Sequence, residues 1–258
     1  MSVLEARDVS VERGGRTILS TSSITIRTGE FLGLVGPNGS GKSTLLRVLA
    51  GLWPAKTGSV LLDDQALAKT ARTQIARRVA FVPQDTHVDF PFTVAEILAM
   101  GRYPHRGRFA PESASDRAAI QSAAEQCDIG HLLHRSIDTL SGGERQRALI
   151  ARSLAVQPEF VLLDEPTANL DIEHSLEVLE LCRSLANNGH AVILASHDLN
   201  LVSQYATRLA LLHLGQIVST GSPEQVLVPA SLEKVFNVHA EPFTSPAGLS
   251  VFVFRSRA

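Results

Sequence analysis

Apolar and polar residues alternate along two stretches near the start of the chain, Leu4 to Glu12 and Thr17 to Arg27, with Gly14 and Gly15 between them. Alternation with a period of two presents one face of a strand to a core, so the pattern predicts a β-hairpin turning at the glycines. The pattern then changes. Continuous apolar runs at 31–35, 79–82, 160–163 and 191–195 read as strands buried on both faces, as in a parallel sheet covered by helices. Between Thr93 and Asp138 strand signals vanish and Ala, Glu, Ile and Leu recur at helical spacing, which predicts a helical segment inserted in an α/β core. Residues 208–221 predict two short strands around Gly215, and 222–258 a short helix or two before a terminal strand at 249–254. The expected fold is therefore α/β: a core of mainly parallel sheet, an N-terminal antiparallel β subdomain and an inserted helical subdomain. In residue terms, 1–258 is one unit. Residues 1–92 and 139–225 form the core with its β subdomain, 93–138 the insertion, and 226–258 a short C-terminal extension.

Composition narrows this picture. In 258 residues, 44% are apolar, ample for a core, and 24 basic against 26 acidic residues leave a formal charge of −2. No broad basic field for nucleic acid is expected from that balance. Two cysteines, Cys127 and Cys182, in helical settings argue against a disulfide framework and fit a reducing compartment. Neither a basic-then-apolar leader nor an apolar run near the roughly 20 residues of a spanning helix is evident. A membrane pathway served by this chain is expected on another polypeptide.

Residues 36–43 fit G-x-x-x-x-G-K-[ST]. A buried strand precedes them and a helical run, Leu45 to Ala50, follows. Glycines let the backbone N–H groups turn inward into an anion-binding nest, and the helix adds its N-terminal dipole. Gly36, Pro37, Asn38, Gly39, Ser40, Gly41, Lys42, Ser43 and Thr44 are therefore expected around a nucleotide's phosphates. Lys42 supplies a point charge and Ser43 a hydroxyl for Mg²⁺, which makes the core that of a P-loop NTPase. The run Phe160 to Leu163 ends in Asp164 and Glu165. Beside a phosphate loop, Asp164 is the expected Mg²⁺ partner and Glu165 the candidate general base for an attacking water. A nucleotide with Mg²⁺ is the expected ligand pair, and a phosphate loop alone does not separate kinases, GTPases, helicases and transporters.

Leu140, Ser141, Gly142, Gly143, Glu144, Arg145, Gln146 and Arg147 closely resemble the signature motif of the ATP-binding cassette (ABC) family. Further motifs follow that family's order: Gln84 after Val82 and Pro83 for the Q-loop, Ala168 to Asp171 for the D-loop, and His197 after Leu194 to Ser196 for the switch histidine. The resemblance covers residues 1–225. Read physically, Ser141, Gly142 and Gly143 precede a helix expected over Glu144 to Val156, where free N–H groups suit a γ-phosphate. Ser141 and Glu144 also fit a capping box. Since the chain's own phosphate loop surrounds its nucleotide, the signature is expected to serve one held by a second copy.

The resemblance implies ATP as the nucleotide, and roles residue by residue. Gln84 senses Mg²⁺ and the γ-phosphate and links them to a membrane partner, His197 contacts the γ-phosphate, and Asp171 acts across a homodimer interface. Where the family has an aromatic residue stacked on adenine, this chain has Arg13, whose guanidinium plane can also stack on a π-system.

Residues 76–84, 89–96 and 100–105 resemble ATPases of iron-siderophore, haem and vitamin B12 importers. That implies a polytopic permease dimer as partner and, indirectly, a periplasmic or surface substrate-binding protein. It also implies a peripheral position on the cytoplasmic face of a bacterial inner membrane. The basic cluster Arg102, His105, Arg106 and Arg108 reads either as a contact to permease or lipid head groups or as a solvated loop. The alternative function is a soluble ABC-type ATPase clamping nucleic acid or the ribosome.

Overall fold

The computed structural model describes residues 1–84, 90–106, 111–244 and 250–256. The first two strands form the expected hairpin, β1 (Val3–Arg13) and β2 (Arg16–Arg27). After them come β3 (Phe31–Val35), α1 (Lys42–Leu49), β4 (Thr57–Leu62), the two-residue β5 (Gln65–Ala66), α2 (Arg72–Arg78) and β6 (Val79–Val82). Helices fill the next stretch: α3 (Val94–Met100), α4 (Ala114–Gln126) and α5 (Gly142–Leu154), with short 3-10 turns between them. The core resumes with β7 (Phe160–Asp164), α6 (Ile172–Asn187), β8 (Ala191–Ser196), α7 (Leu199–Ser203), β9 (Arg208–His213) and β10 (Gln216–Gly221). The tail holds α8 (Pro223–Val226), α9 (Pro229–Phe236), β11 (Val238–Thr244) and β12 (Ser250–Ser256). The terminal strand thus has a partner strand, β11, absent from the sequence expectation, and Leu249 of the expected strand lies outside the described residues.

The six-stranded sheet has the order β10-β9-β3-β8-β7-β6. From β9 to β6 all neighbours run parallel, and β10 closes one edge antiparallel. Side chains alternate across it as pleating requires. Leu32, Leu34, Leu162 and Ile193 face the core shared with α1 and the antiparallel sheet β2-β1-β4-β5, while Phe31, Val35, Leu163 and Leu194 face the core shared with α3 to α6. Both faces of the sheet are therefore dry, which is why its strands read as unbroken apolar runs.

The helical stretch is pinned by a cluster that the sequence presents as surface. Arg102 is 5% exposed; its Nε donates to Asp116 Oδ1 at 2.9 Å and its Nη1 to the Ala155 carbonyl at 2.7 Å. His105 Nε2 donates to the Val156 carbonyl at 2.8 Å. Hydrogen bonds from Ser113 and Arg102 hold the Asp116 carboxyl well below the usual carboxylate range. This corrects both readings of the basic run for Arg102 and His105. Both bond carbonyls at the end of α5; Arg102 is buried and His105 half-buried, and Arg108 lies outside the described residues. The cysteines are free and buried, and burial pushes the Cys127 thiol up to about 12.

Candidate functional site

Parallel strands bring their carboxyl ends to one edge of a sheet, where such folds bind ligands. Here β3 runs into the phosphate loop, β7 into Asp164 and Glu165, β8 into His197, and β6 into Pro83 and Gln84. Between them opens a cavity of about 1050 Å³, lined by Asn38 to Thr44, Gln84, Glu165, residues 167–170 and His197. Ile18, Asn200 and Gln204 also line it.

The loop's shape depends on two glycines with left-handed backbone. At Gly36 (φ +152) an added Cβ would lie 2.1 Å from the Leu212 carbonyl oxygen, and at Gly41 (φ +105) 2.8 Å from Leu19 Cδ2. Any side chain there would spread the nest. Lys42 Nζ donates to the Gly36 carbonyl at 2.8 Å and stands 3.7 Å from Glu165 Oε1. Burial draws the Lys42 pKa below that of an ordinary lysine, against the pull of Glu165. A cation held in that loop, beside inward N–H groups, suits a polyphosphate.

Ser43 Oγ donates to Asp164 Oδ1 at 2.8 Å. Asp164 is 1% exposed, its Oδ2 accepts no hydrogen bond, and the nearest cation is Arg47 Nη2 at 3.7 Å. Burial raises the Asp164 pKa, while Ser43 and Arg47 oppose the shift. A buried carboxylate oxygen without a donor, beside a serine hydroxyl and with the Gln84 side chain on the cavity wall, is a set of hard oxygen ligands that fits Mg²⁺. Glu165 follows directly, with its backbone at φ +49. A left-handed glutamate costs about 1 kcal/mol and persists only where its surroundings fix it. Its N–H is bound to the Ala195 carbonyl, and its Oε2 accepts from His197 Nδ1 at 2.7 Å.

Ser141, Gly142 and Gly143 stand at the N-terminus of α5 and none lines this cavity. The helix runs from Gly142 to Leu154, starting and ending two residues earlier than the sequence pattern predicts. Ser141 and Glu144 form a reciprocal capping box, Ser141 N donating to Glu144 Oε2 at 2.8 Å and Glu144 N to Ser141 Oγ at 3.3 Å. Asp171 caps α6, its Oδ1 accepting from His174 N at 2.9 Å and from His174 Nδ1 at 2.6 Å. Those bonds lower the Asp171 pKa and raise that of His174. An added Cβ on Gly143 would fall 1.9 Å from His174 Cδ2, so signature and D-loop segments abut directly.

Arg13 is not among the cavity's lining residues. Its guanidinium lies 3.6 Å over the Trp53 ring, which Arg47 also approaches at 5.0 Å. Ile18, Arg47, Asn200 and Gln204 are among the site residues that sequence reasoning missed, as are Thr167, Ile172 and Leu201 on the cavity wall. Only Arg47 carried a signal: it lies four residues after Ser43 on α1, hence on the same face.

Comparison with known proteins agrees with this geometry. A family model described as "ABC transporter" matches residues 19–168. A hemin import ATP-binding protein of Rhodococcus jostii is 41% identical over 98% of this chain and 86% of its own length. A cobalamin import ATP-binding protein of Halobacterium salinarum is 39% identical over 97% of this chain, which spans 63% of that relative's length. Among solved structures, an inward-facing transporter described as of the metal-chelate ABC type superposes with a TM-score of 0.86 at 27% identity, covering 98% of this chain and 97% of that one. An ATP-binding cassette in its ADP conformation shares the fold, with a TM-score of 0.82 at 24% identity over 92% of this chain and 98% of that one. The chain belongs to the ABC transporter family, as an ATP hydrolase coupled to transport.

Proposed function

We propose that this chain powers import of a metal chelate (a ferric siderophore, haem or cobalamin) through a separate membrane permease. The observation that carries this reading is the near-complete coverage of the chain, at about 40% identity, by relatives named for hemin and cobalamin import. Among the described residues no helix is long and apolar enough to cross a membrane. The proposed position is peripheral, on the cytoplasmic face of a bacterial inner membrane, with a substrate-binding protein on its far side.

Two copies pair head to tail, each offering Ser141, Gly142 and Gly143 to the ATP of the other. Two features support this: the signature residues lie away from their own cavity, and Ile172, next to Asp171, leaves an apolar side chain 78% exposed. The loop from Gly36 to Thr44 and Lys42 hold the phosphates. Ser43, Asp164 and Gln84 would hold Mg²⁺, which supplies charge neutralisation between the outer phosphates. Glu165 takes a proton from the attacking water as its oxygen bonds to the γ-phosphorus, and the bond to the β-phosphate oxygen breaks to release ADP. His197 keeps Glu165 oriented and can donate to the leaving phosphate. Positioning and charge stabilisation supply most of the rate in such transfers. Residues 93–138 move with the permease as closure and hydrolysis alternate.

Purification of the full chain from its native membranes tests the partner. A polytopic membrane protein is expected to co-purify, and vesicles holding the pair should take up one of the three chelates with ATP. Recovery with ribosomes or nucleic acid alone would overturn the importer reading.

Base recognition follows from Arg13. With its guanidinium on Trp53 and Ile18 one of several apolar residues on the cavity wall, the nucleobase gains contact area but little discrimination. Dissociation constants for Mg-ATP and Mg-GTP are expected to agree within about threefold, under 1 kcal/mol, and Arg13→Ala should leave their ratio unchanged. A strong ATP preference lost in Arg13→Ala, read by fluorescent-nucleotide competition, would restore Arg13 as the base platform.

A further inference from the structure

Helix α7 is five residues long, too short to persist in water without tertiary support. It begins two residues after His197, so its placement sets where that ring stands. Packing fixes its inner side: Leu199 and Val202 are buried, and Gly33 on β3 makes room, since a Cβ there would meet Val202 Cγ1 at 2.6 Å. Beyond its last turn, Arg183 donates to the Gln204 carbonyl.

The first turn is held differently. Asn200 makes both hydrogen bonds of a peptide pair with β12: its Nδ2 donates to the Phe252 carbonyl at 2.9 Å, and its Oδ1 accepts from the Phe252 N–H at 2.8 Å. Phe252 is paired across the hairpin with Pro242, which has no N–H to offer. The Phe252 peptide groups therefore turn to the open edge of β12, where the Asn200 amide occupies the place of a neighbouring strand. The Phe252 ring is 7% exposed, in one core cluster with Leu199, Val202 and Leu232. Asn200 also lines the nucleotide cavity, so a single side chain joins the catalytic edge to the C-terminal hairpin.

We infer that Asn200 is a positioning residue: by pinning the first turn of α7 to β12 it keeps His197 within hydrogen-bond reach of Glu165. The C-terminal hairpin then serves hydrolysis rather than closing the fold alone. The inference rests on the role proposed above for His197.

The test is steady-state ATPase kinetics on the full chain, with Asn200→Ala and Asn200→Asp each made in the wild-type and His197→Ala backgrounds. Asn200→Ala is expected to lower kcat about tenfold, as for a slight misplacement of a catalytic group, with KM and the ATP dissociation constant within about twofold. Asn200→Asp keeps the acceptor for the Phe252 N–H but loses the donor, and should fall between. In the His197→Ala background, neither change should lower the residual rate further, since residues acting through one group are not additive. Equal losses in both backgrounds, or an unchanged kcat in wild type, would overturn the inference. Should Asn200→Ala fail to fold, the near-isosteric Asn200→Asp is read by the same cycle. Full activity of His197→Ala alone would instead remove the role of His197, a separate outcome.

Discussion

Glu165→Gln is expected to slow ATP hydrolysis by about two to four orders of magnitude, the usual contribution of a positioned general base, while ATP stays bound. The geometry separates the two effects. Glutamine has the shape of glutamate and keeps an oxygen for His197 Nδ1, now 2.7 Å from Glu165 Oε2, so the loop and its left-handed backbone have no reason to move. What disappears is the capacity to take up a proton. The carboxylate 3.7 Å from Lys42 Nζ disappears too, which leaves that cation freer for phosphate, so ATP affinity should hold or rise. With closure intact and hydrolysis blocked, the ATP-bound pair of chains should accumulate. Phosphate release and light scattering after gel filtration with Mg-ATP report the two effects separately. Hydrolysis at the wild-type rate would remove Glu165 as the base.

The parts of this molecule legible in sequence are those dictated by local rules. Strands β3, β7 and β8 show as apolar runs because they are buried on both faces, and the β1–β2 hairpin shows because one face is wet and its turn needs glycines. Strand β11 was hidden by Pro242, which demotes a strand read in isolation but is tolerated opposite the Phe252 position. Strand β4 begins with Thr57, Gly58 and Ser59, which carry little strand signal; it exists because β1, some fifty residues away in sequence, pairs with it.

The site divides along the same line. The phosphate-loop residues, Asp164 and Glu165 were readable because their chemistry depends on short-range spacing, whereas His197 was readable only through the family resemblance and its place after strand β8. Arg13 was not, because its partner Trp53 belongs to another segment of the β subdomain. A guanidinium that can stack on a base can equally stack on an indole, and only the fold decides between them. Arg102 taught the same lesson in reverse: neighbouring basic residues read as a surface run until a 3-10 turn carries one of them inward to Asp116.

Gly143→Ala should abolish most ATP turnover through steric contact alone. The added methyl would lie 1.9 Å from Cδ2 and 2.6 Å from Cγ of His174, distances no packed pair of carbons sustains. The ring, with 29% of its side chain exposed, can swing aside only by giving up the 2.6 Å bond from its Nδ1 to Asp171, a surface pair that holds it only weakly. Relief must come from moving the signature turn or from breaking that bond, and either disturbs a segment assigned to the facing chain's nucleotide. The chain's own phosphate loop is untouched, so the affinity of the separate chain for ATP should change by less than about twofold, while hydrolysis falls by about a hundredfold, as when catalytic groups shift by an ångström. Adding His174→Ala removes the colliding atoms and should recover part of the lost rate, provided the Asp171 cap still accepts from the backbone N–H of residue 174, now 2.9 Å away. Equilibrium binding of fluorescent ATP to dilute chain, beside phosphate release at concentrations that favour pairing, separates the terms. If Gly143→Ala weakened ATP binding to the lone chain as much as it slowed turnover, the signature would be acting on its own chain's nucleotide, and the head-to-tail arrangement would fall.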